Sequence, residues 1–308
     1  MAELNWSAIL DKTLGNFSVS TLPPTLELPA LPQAVTQYVQ KSSDPNVELK
    51  ELAKIVETDS GLTAAVLKYV NSSFMGLRTK AKNVQQALSL MGRRQAKMHI
   101  VTTATQAAIR AKKSKLINQS VFWTSSLQKA LFAKEVAILL KADKDLAFSG
   151  ALLQDYILPV LSNELFDDYL ELMTSRDKHP DSICEYEKSR FRWDHALAGA
   201  SLARRWNLPD DIVCCILFHH HGLSILGNKE LARTAVAAVA LSSLLPDDLH
   251  QEVTGLYQLV KLGEKWAAFD LEKIAETVDA AQDELGMGVK NDFPLARRCR
   301  KVLDAMCV

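Results

Sequence analysis

The sequence has few cysteines, and their arrangement suits neither a disulfide framework nor a zinc ribbon. The five cysteines are an odd number, and no two have the C-x-x-C spacing. Cys215 and His219 would share one face of a helix, but a structural zinc ion needs four ligands and no second pair is evident. Cys214 and Cys215 would point in different directions from a helix, which favours ordinary buried thiols over a redox pair. These cysteines predict a protein of the reducing cytoplasm.

The chain also lacks net charge and long hydrophobic runs. Its 36 lysines and arginines balance 36 aspartates and glutamates, so no overall field would recruit nucleic acid or an anionic membrane. The longest apolar stretch, 235–245, contains Ser242 and Ser243 and is shorter than the roughly 20 residues of a membrane-spanning helix. The first ten residues lack the basic start and apolar block of a secretory signal. We expect a cytoplasmic protein with no membrane insertion and no nucleic-acid partner.

Glycine and proline are scarce, with 12 and 10 residues, and apolar residues recur at helical spacing along almost the whole chain. The sequence therefore predicts an all-α fold. Asp59 or Ser60 is expected to cap one helix and Asn83 the next, while Gly76 and Gly92 are expected to end helices. The predicted helices cover residues 32–40, 49–56, 62–69, 84–91, 120–140, 145–161, 196–203, 210–221, 229–245, 249–262, 271–285 and 294–306.

Two of these helices are expected to form the core. Over 120–140 and 145–161 the apolar residues cover more than one helical face, which indicates burial on most sides. The segment 196–203 places Ala196, Gly199 and Ala203 on one stripe, where a neighbouring helix backbone can approach closely. This helix is therefore expected to be central as well.

The candidate chemistry lies in histidines, because the common phosphate-loop, hydrolase and zinc-protease motifs are missing. Asp194 and His195 stand at the start of one predicted helix, and His219 and His220 at the end of the next. With Asp155 on a third, buried helix, they offer imidazole and carboxylate ligands that suit iron, manganese or zinc. The alternative is that these side chains hydrogen-bond within the core or lie at helix ends.

Several short blocks of sequence stand in a characteristic order. Together they resemble the HDOD domains, which are relatives of the HD-type metal-dependent phosphohydrolases. The blocks are LPALP at 28–32, DSGL at 59–62, VNS at 70–72, VQQALSLMG at 84–92, GALLQD at 150–155, DHA at 194–196 and HH at 219–220. The resemblance implies an HD/phosphodiesterase-like helical bundle with an N-terminal helical subdomain and extra C-terminal helices. We expect an N-terminal helix and tether over 1–23, the HDOD domain over 24–222, and a C-terminal helical extension packed on it over 223–308.

The resemblance also locates the positions where catalytic HD relatives bind metal, through a first His, a His-Asp doublet and a later Asp. These positions fall on Ser125, on Gln154 with Asp155, and on Leu241. Serine, glutamine and leucine cannot replace two imidazoles and a carboxylate as ligands. Of this set only Asp155 is retained, which predicts that the protein is not an enzyme.

The remaining candidates are expected to line a vestigial cleft, together with Ser125 and Gln154. They are Asp155, His195, His219 and His220. We expect them to cap helices, pack or hydrogen-bond there, with no metal and no cofactor. A rebuilt metal site is the alternative, and it would require the carboxylate and two or three imidazoles to converge.

The resemblance implies a non-catalytic bacterial signal-transduction module. It would act by binding a protein partner of a signalling pathway, or a nucleotide-type messenger in the vestigial cleft. The alternative is an HD-type phosphohydrolase that retains weak metal-dependent hydrolysis, in which a metal ion would lower the pKa of its bound water. Ser125 and Gln154 argue against that alternative.

Overall fold

The computed structural model describes residues 4–24, 26–72, 75, 80–174, 182–285 and 294–306, and within them every regular element is a helix. This confirms the all-α prediction. The α-helices are α1 Trp6–Leu14, α2 Gln33–Lys41, α3 Leu49–Glu57, α4 Ser60–Val70, α5 Val84–Met91, α6 Arg93–Arg110, α7 Gln119–Leu140, α8 Lys144–Leu153, α9 Leu158–Glu164, α10 Phe166–Thr174, α11 Ile183–Phe191, α12 His195–Arg205, α13 Asp210–Phe218, α14 Ala235–Ser242, α15 Gly255–Lys265, α16 Leu271–Leu285 and α17 Leu295–Met306. Within the described residues there are also two 3-10 helices, Val19–Thr21 and His219–Gly227.

The helix ends follow the expected local chemistry where the structure describes them. Asp59, not Ser60, caps α4, since its Oδ1 accepts from the backbone N–H of Leu62 at 2.9 Å. Asn83 caps α5 in the same way. Gly92 ends α5 with a φ of 76°, a left-handed conformation that glycine adopts without strain. The prediction for Gly76 lies outside the described residues.

The helices form two groups that meet at α6 and α8. Helices α2 to α6 pack on one another near the N-terminus, and α6 then packs against α8. In the larger group, α7 packs against α8, α14 and α16, while α13 lies between α8 and α12. Gly150 permits the close approach of α8 to α13, because a Cβ there would lie 2.5 Å from Cys215 Cβ. The long α7 and the small-residue helix α12 are thus central, as expected.

One predicted helix, 145–161, is wrong as a single element. Helix α8 ends at Leu153, residues 154–157 form a turn, and α9 begins at Leu158. Pro159 explains the break, because proline has no N–H and suits the first turn of a helix rather than its interior. Asp155 therefore lies in a turn, not on a buried helix.

Two other predicted helices begin later than expected, at Ala235 rather than 229 and at Gly255 rather than 249. Carboxamide or carboxylate side chains hold the preceding residues in turns. Asn228 Oδ1 accepts from two backbone N–H groups, those of Glu230 and Leu231. Asp247 Oδ1 accepts from those of Leu249 and Gln251. Such local bonds compete with the helical hydrogen-bond pattern.

The histidines at 219–221 also differ from the prediction, since they lie in a 3-10 helix after α13 rather than at the end of an α-helix. Among the described residues, no helix combines the length and the apolar character that crossing a bilayer requires. The proposed division at residues 23 and 222 stays a prediction.

Candidate metal centre

Four side chains from three separate parts of the fold converge in the interior. Asp155 lies in the turn between α8 and α9, His195 is the first residue of α12, and His219 and His220 open the second 3-10 helix. One ligand atom from each lies within 4.8 Å of the others. The side chains of Asp155, His195 and His219 are at most 3% exposed, and that of His220 is 10% exposed. The three imidazoles and one carboxylate that the rebuilt-site alternative requires do come together.

The atoms that converge are the Nε2 nitrogens and one carboxylate oxygen. His195 Nε2 lies 3.3 Å from His219 Nε2 and 3.0 Å from His220 Nε2. Asp155 Oδ1 lies 3.1 Å from His219 Nε2 and 3.3 Å from His195 Nε2. These spacings are close to the roughly 3.3 Å that separates neighbouring ligands of a tetrahedral zinc ion with bonds of about 2.0–2.1 Å.

The outer nitrogen of His195 is held by a buried carboxylate. Glu187 Oε2 accepts from His195 Nδ1 at 2.7 Å and from the His195 backbone N–H at 2.8 Å. Tyr169 donates its hydroxyl to the other oxygen of Glu187 at 2.5 Å. A carboxylate on Nδ1 fixes the ring orientation and makes Nε2 a better ligand, the usual arrangement behind a metal-binding histidine.

The other two imidazoles follow the same pattern. His219 Nδ1 donates to the backbone oxygen of Ile216 at 2.6 Å, and His220 Nδ1 lies 3.3 Å from Glu252 Oε1. Because each Nδ1 faces an oxygen acceptor, the hydrogen-bond network assigns a proton to Nδ1 and a lone pair to Nε2 in the neutral rings. Three lone pairs are thus directed toward one point.

In the metal-free protein, two of these imidazoles hold a second proton. Burial lowers the pKa of His195, but the charge of Glu187 outweighs it and raises the pKa well above the usual value. Burial also acts to lower the pKa of His220, but Cys184 and Glu252 outweigh burial and raise this pKa to about 10. Burial and the charge of His220 lower the pKa of His219 to about 4. A divalent ion and these protons would compete for the same nitrogens.

The second oxygen of Asp155 faces a lysine. Lys129 Nζ, on α7, lies 2.9 Å from Asp155 Oδ2 and 2.6 Å from Asp247 Oδ2, and its side chain is 3% exposed. Gln154 Nε2 also donates to Asp155 Oδ2, at 3.0 Å. Burial alone would raise the pKa of Asp155, but Lys129 outweighs it and holds the pKa well below the usual range. Asp155 is therefore ionised and has different partners on its two oxygens.

Comparison with known proteins identifies the family of this chain. Residues 28–222 match the model of the HDOD domain. The chain belongs to the HDOD domain family. A curated Treponema pallidum (strain Nichols) protein of uncharacterised function is 23% identical over 206 residues, which are 63% of this chain and 38% of that protein. The chain thus spans well under half the length of this relative.

Solved structures share the HDOD fold over most of this chain. An HDOD protein of unknown function from Geobacter sulfurreducens aligns with a TM-score of 0.58 and 23% identity, covering 91% of this chain and 89% of that one. A Shewanella amazonensis SB2B protein named as a candidate phosphohydrolase aligns with a TM-score of 0.63 and 21% identity. The alignment covers 92% of this chain and 99% of that one. A Marinobacter aquaeolei VT8 protein named as a candidate signal transduction protein aligns with a TM-score of 0.55 and 17% identity. The alignment covers 92% of this chain and 66% of that one.

Of the positions that the HDOD resemblance assigned to lost ligands, Ser125 and Gln154 lie beside this centre. Ser125 lines a cavity of about 280 Å³ with Lys129, Asp155 and Asp247. Leu241 is fully buried on α14. The two residues after it reach the centre instead. They do so through hydrogen bonds from Ser242 Oγ to Gln154 Oε1 and from Ser243 Oγ to the backbone oxygen of His219.

Four residues of this HDOD site were not predicted from the sequence. They are Lys129, Glu187, Asp247 and Glu252. Lys129 carried one usable signal, since it is a charged residue beside the apolar run 130–133 on a helix predicted to be buried. The acids carried none, because carboxylates are common on exposed helical faces.

Proposed function

We propose that this HDOD protein is a cytoplasmic bacterial signal-transduction module that acts by binding and does not hydrolyse phosphate esters. The observation that carries this proposal is the ion pair of Lys129 with Asp155 and Asp247. Two-metal hydrolysis needs two adjacent ions that hold the attacking and leaving oxygens. Here an ammonium and an amide already bond the second oxygen of Asp155, where a neighbouring ion would have to bind.

The first oxygen of Asp155 supports one divalent ion. Asp155 Oδ1 and the Nε2 atoms of His195, His219 and His220 would hold it, and zinc, iron and manganese all suit this donor set. A bound ion would supply positive charge and Lewis acidity. Four protein ligands are typical of closed structural sites, whereas catalytic sites keep a position open for water. We therefore assign the ion a structural role that joins the α8–α9 turn, α12 and the second 3-10 helix.

The alternative function is a weakly active metal-dependent phosphohydrolase. The convergence of three imidazoles favours it, because a bound ion can lower the pKa of water and generate a nucleophile. The ligand count and Lys129 argue against it. The two functions differ in one measurable property, metal-dependent turnover.

The binding partner is better matched by a protein than by an anionic messenger. The cavity beside Asp155 is lined by three acids, Asp155, Asp247 and Asp248, and by one lysine, Lys129. A cyclic dinucleotide carries two phosphates, and these acids would repel them. We expect no heat when cyclic dinucleotides are titrated into the protein in a calorimeter.

The test combines metal content with turnover in tag-free protein grown with iron, manganese and zinc. We expect about one equivalent of metal by elemental mass spectrometry, lost in His195→Ala. His221→Ala is the matched control, because His221 is exposed and does not belong to the cluster. With added manganese, the hydrolysis of bis(4-nitrophenyl) phosphate should stay at background in the wild-type protein and in both variants.

The three parts of the proposal, which are the structural ion, the binding-only function and the protein partner, fail separately. Less than about a tenth of an equivalent of metal would contradict the structural ion. Manganese-dependent hydrolysis that disappears in Asp155→Asn would contradict the binding-only function and favour the phosphohydrolase. Heat from a cyclic dinucleotide titrated into the wild-type protein would contradict the preference for a protein partner.

A further inference from the structure

A second cavity lies where the two helix groups meet. It has a volume of about 350 Å³, and α4, α6 and α8 line it, with Leu127 of α7. It shares no lining residue with the cavity beside Asp155. Its volume is within the range of small-molecule sites, which often lie between structural units.

The exposed surface of this cavity is largely apolar and includes ring side chains. Met98, Leu127 and Leu152 supply aliphatic surface. Tyr69 and His99 also line it, and their rings stack with centroids 3.9 Å apart and planes inclined by 18°. Rings held in this way offer flat surfaces on which a planar molecule packs well.

A buried hydroxyl at the cavity has no hydrogen-bond partner. Thr102 is 4% exposed and lines the cavity, and its Oγ1 bonds to no described residue. A buried polar group left unpaired costs about 1–3 kcal/mol, so such groups are rare and call for a partner. The amides of Gln95 and Gln106 line the same cavity and offer both donors and acceptors.

The charges at the cavity give an anionic ligand no net attraction. Among its lining residues Lys68 and Asp145 are the ionisable pair of opposite sign, and no arginine is present. Burial lowers the pKa of His99 to about 4, so its ring is neutral at physiological pH. A phosphate or carboxylate would find no net positive charge here.

We propose that this cavity binds an uncharged planar heteroaromatic molecule of nucleobase size, whose polar edge pairs with Thr102 and the glutamine amides. Because helices of both groups line it, such a ligand would bind across their junction. The cavity would then be the input site of the signalling module. This inference is independent of the metal site, and the role as an input site rests on the proposed signalling function.

The test uses adenine and indole as probes in saturation-transfer NMR with the full chain. We expect both to bind with dissociation constants below about 1 mM, and adenosine monophosphate to bind at least about tenfold more weakly than adenine. Ala65→Phe would fill the cavity and weaken both probes by at least about tenfold. Ala64→Phe is the matched control, since Ala64 is the exposed neighbour of Ala65 on α4 and does not line the cavity.

A second variant covers the case in which Ala65→Phe does not fold. Thr102→Val keeps the volume and removes the unpaired hydroxyl, so it should weaken adenine while leaving indole and the thermal midpoint unchanged or higher. Absence of saturation transfer from both probes in the wild-type protein would overturn the proposal. Adenine affinity in Thr102→Val equal to that of the wild-type protein would overturn the pairing with Thr102 as well.

Discussion

Lys129 and Asp155 form an ion pair in the interior, with Nζ 2.9 Å from Oδ2 and each side chain 3% exposed. Asp247 completes the group from a position 118 residues after Lys129. The lysine supplies the positive charge that keeps the carboxylate of Asp155 ionised away from water. Buried ions without a partner are costly, so each member of this group depends on the others.

Replacing Lys129 by methionine should therefore destabilise the fold strongly. Lys129→Met keeps the length of the side chain but leaves Asp155 and Asp247 without their cation, for which we expect a loss of about 3–5 kcal/mol. Urea unfolding followed by circular dichroism measures it. Lys113→Met, at an exposed position, should change stability by less than about 0.5 kcal/mol. A loss below about 1 kcal/mol in Lys129→Met would mean that the pair is not ionised.

Glu187 should control the metal affinity of His195 without touching the ion. Glu187→Gln retains an oxygen for His195 Nδ1 and removes the charge, so we expect metal binding to weaken by about 10–100-fold. Competition with a chromophoric chelator gives the affinity. Glu164→Gln, at an exposed position, serves as the control. Unchanged affinity in Glu187→Gln would show that this carboxylate has only a packing role.

A methyl group at Gly150 should force α8 and α13 apart. The new Cβ would lie 2.5 Å from Cys215 Cβ and 2.7 Å from its Sγ, so Gly150→Ala should cost about 1–3 kcal/mol despite the better helix propensity of alanine. Gly61→Ala is the contrast, because its Cβ would meet only Asp59 Oδ1, at 3.4 Å. That change should be neutral or stabilising by up to about 1 kcal/mol. Equal unfolding midpoints for the two variants would refute the close contact.

The neutral His99 predicts loss of stability in acid. Its pKa is about 4 in the fold, against about 6.5 in an unfolded chain, so below pH 6.5 the unfolded state takes up the proton more readily. The contribution of neutral His99 to the free energy of unfolding is fully present above about pH 7. It is smaller by about 2 kcal/mol at pH 5. Urea unfolding at pH 7.5 and 5.0 should show a smaller difference for His99→Phe than for the wild-type protein. Identical differences for the two proteins would contradict the buried neutral state.

Much of the local structure is readable in the sequence. The caps at Asp59 and Asn83 and the glycine at Gly92 act within three or four residues, so the pattern of residues is enough to predict them. The all-α fold follows from helical periodicity, which local spacing also sets. The break at Pro159 was missed, because the apolar pattern runs through it and hides the local signal. The turns after Asn228 and Asp247 were assigned to the helices that follow them.

The composition of the centre was decided by tertiary structure. The sequence offers Asp155, His195, His219 and His220 as candidates, but spacing alone could not show that their ligand atoms meet. Lys129 and Glu187 become part of the site only when α7 and α11 pack beside it. The physical reason is one of range, since capping and periodicity act over one helical turn, whereas ligand geometry and charge pairing depend on how distant helices pack.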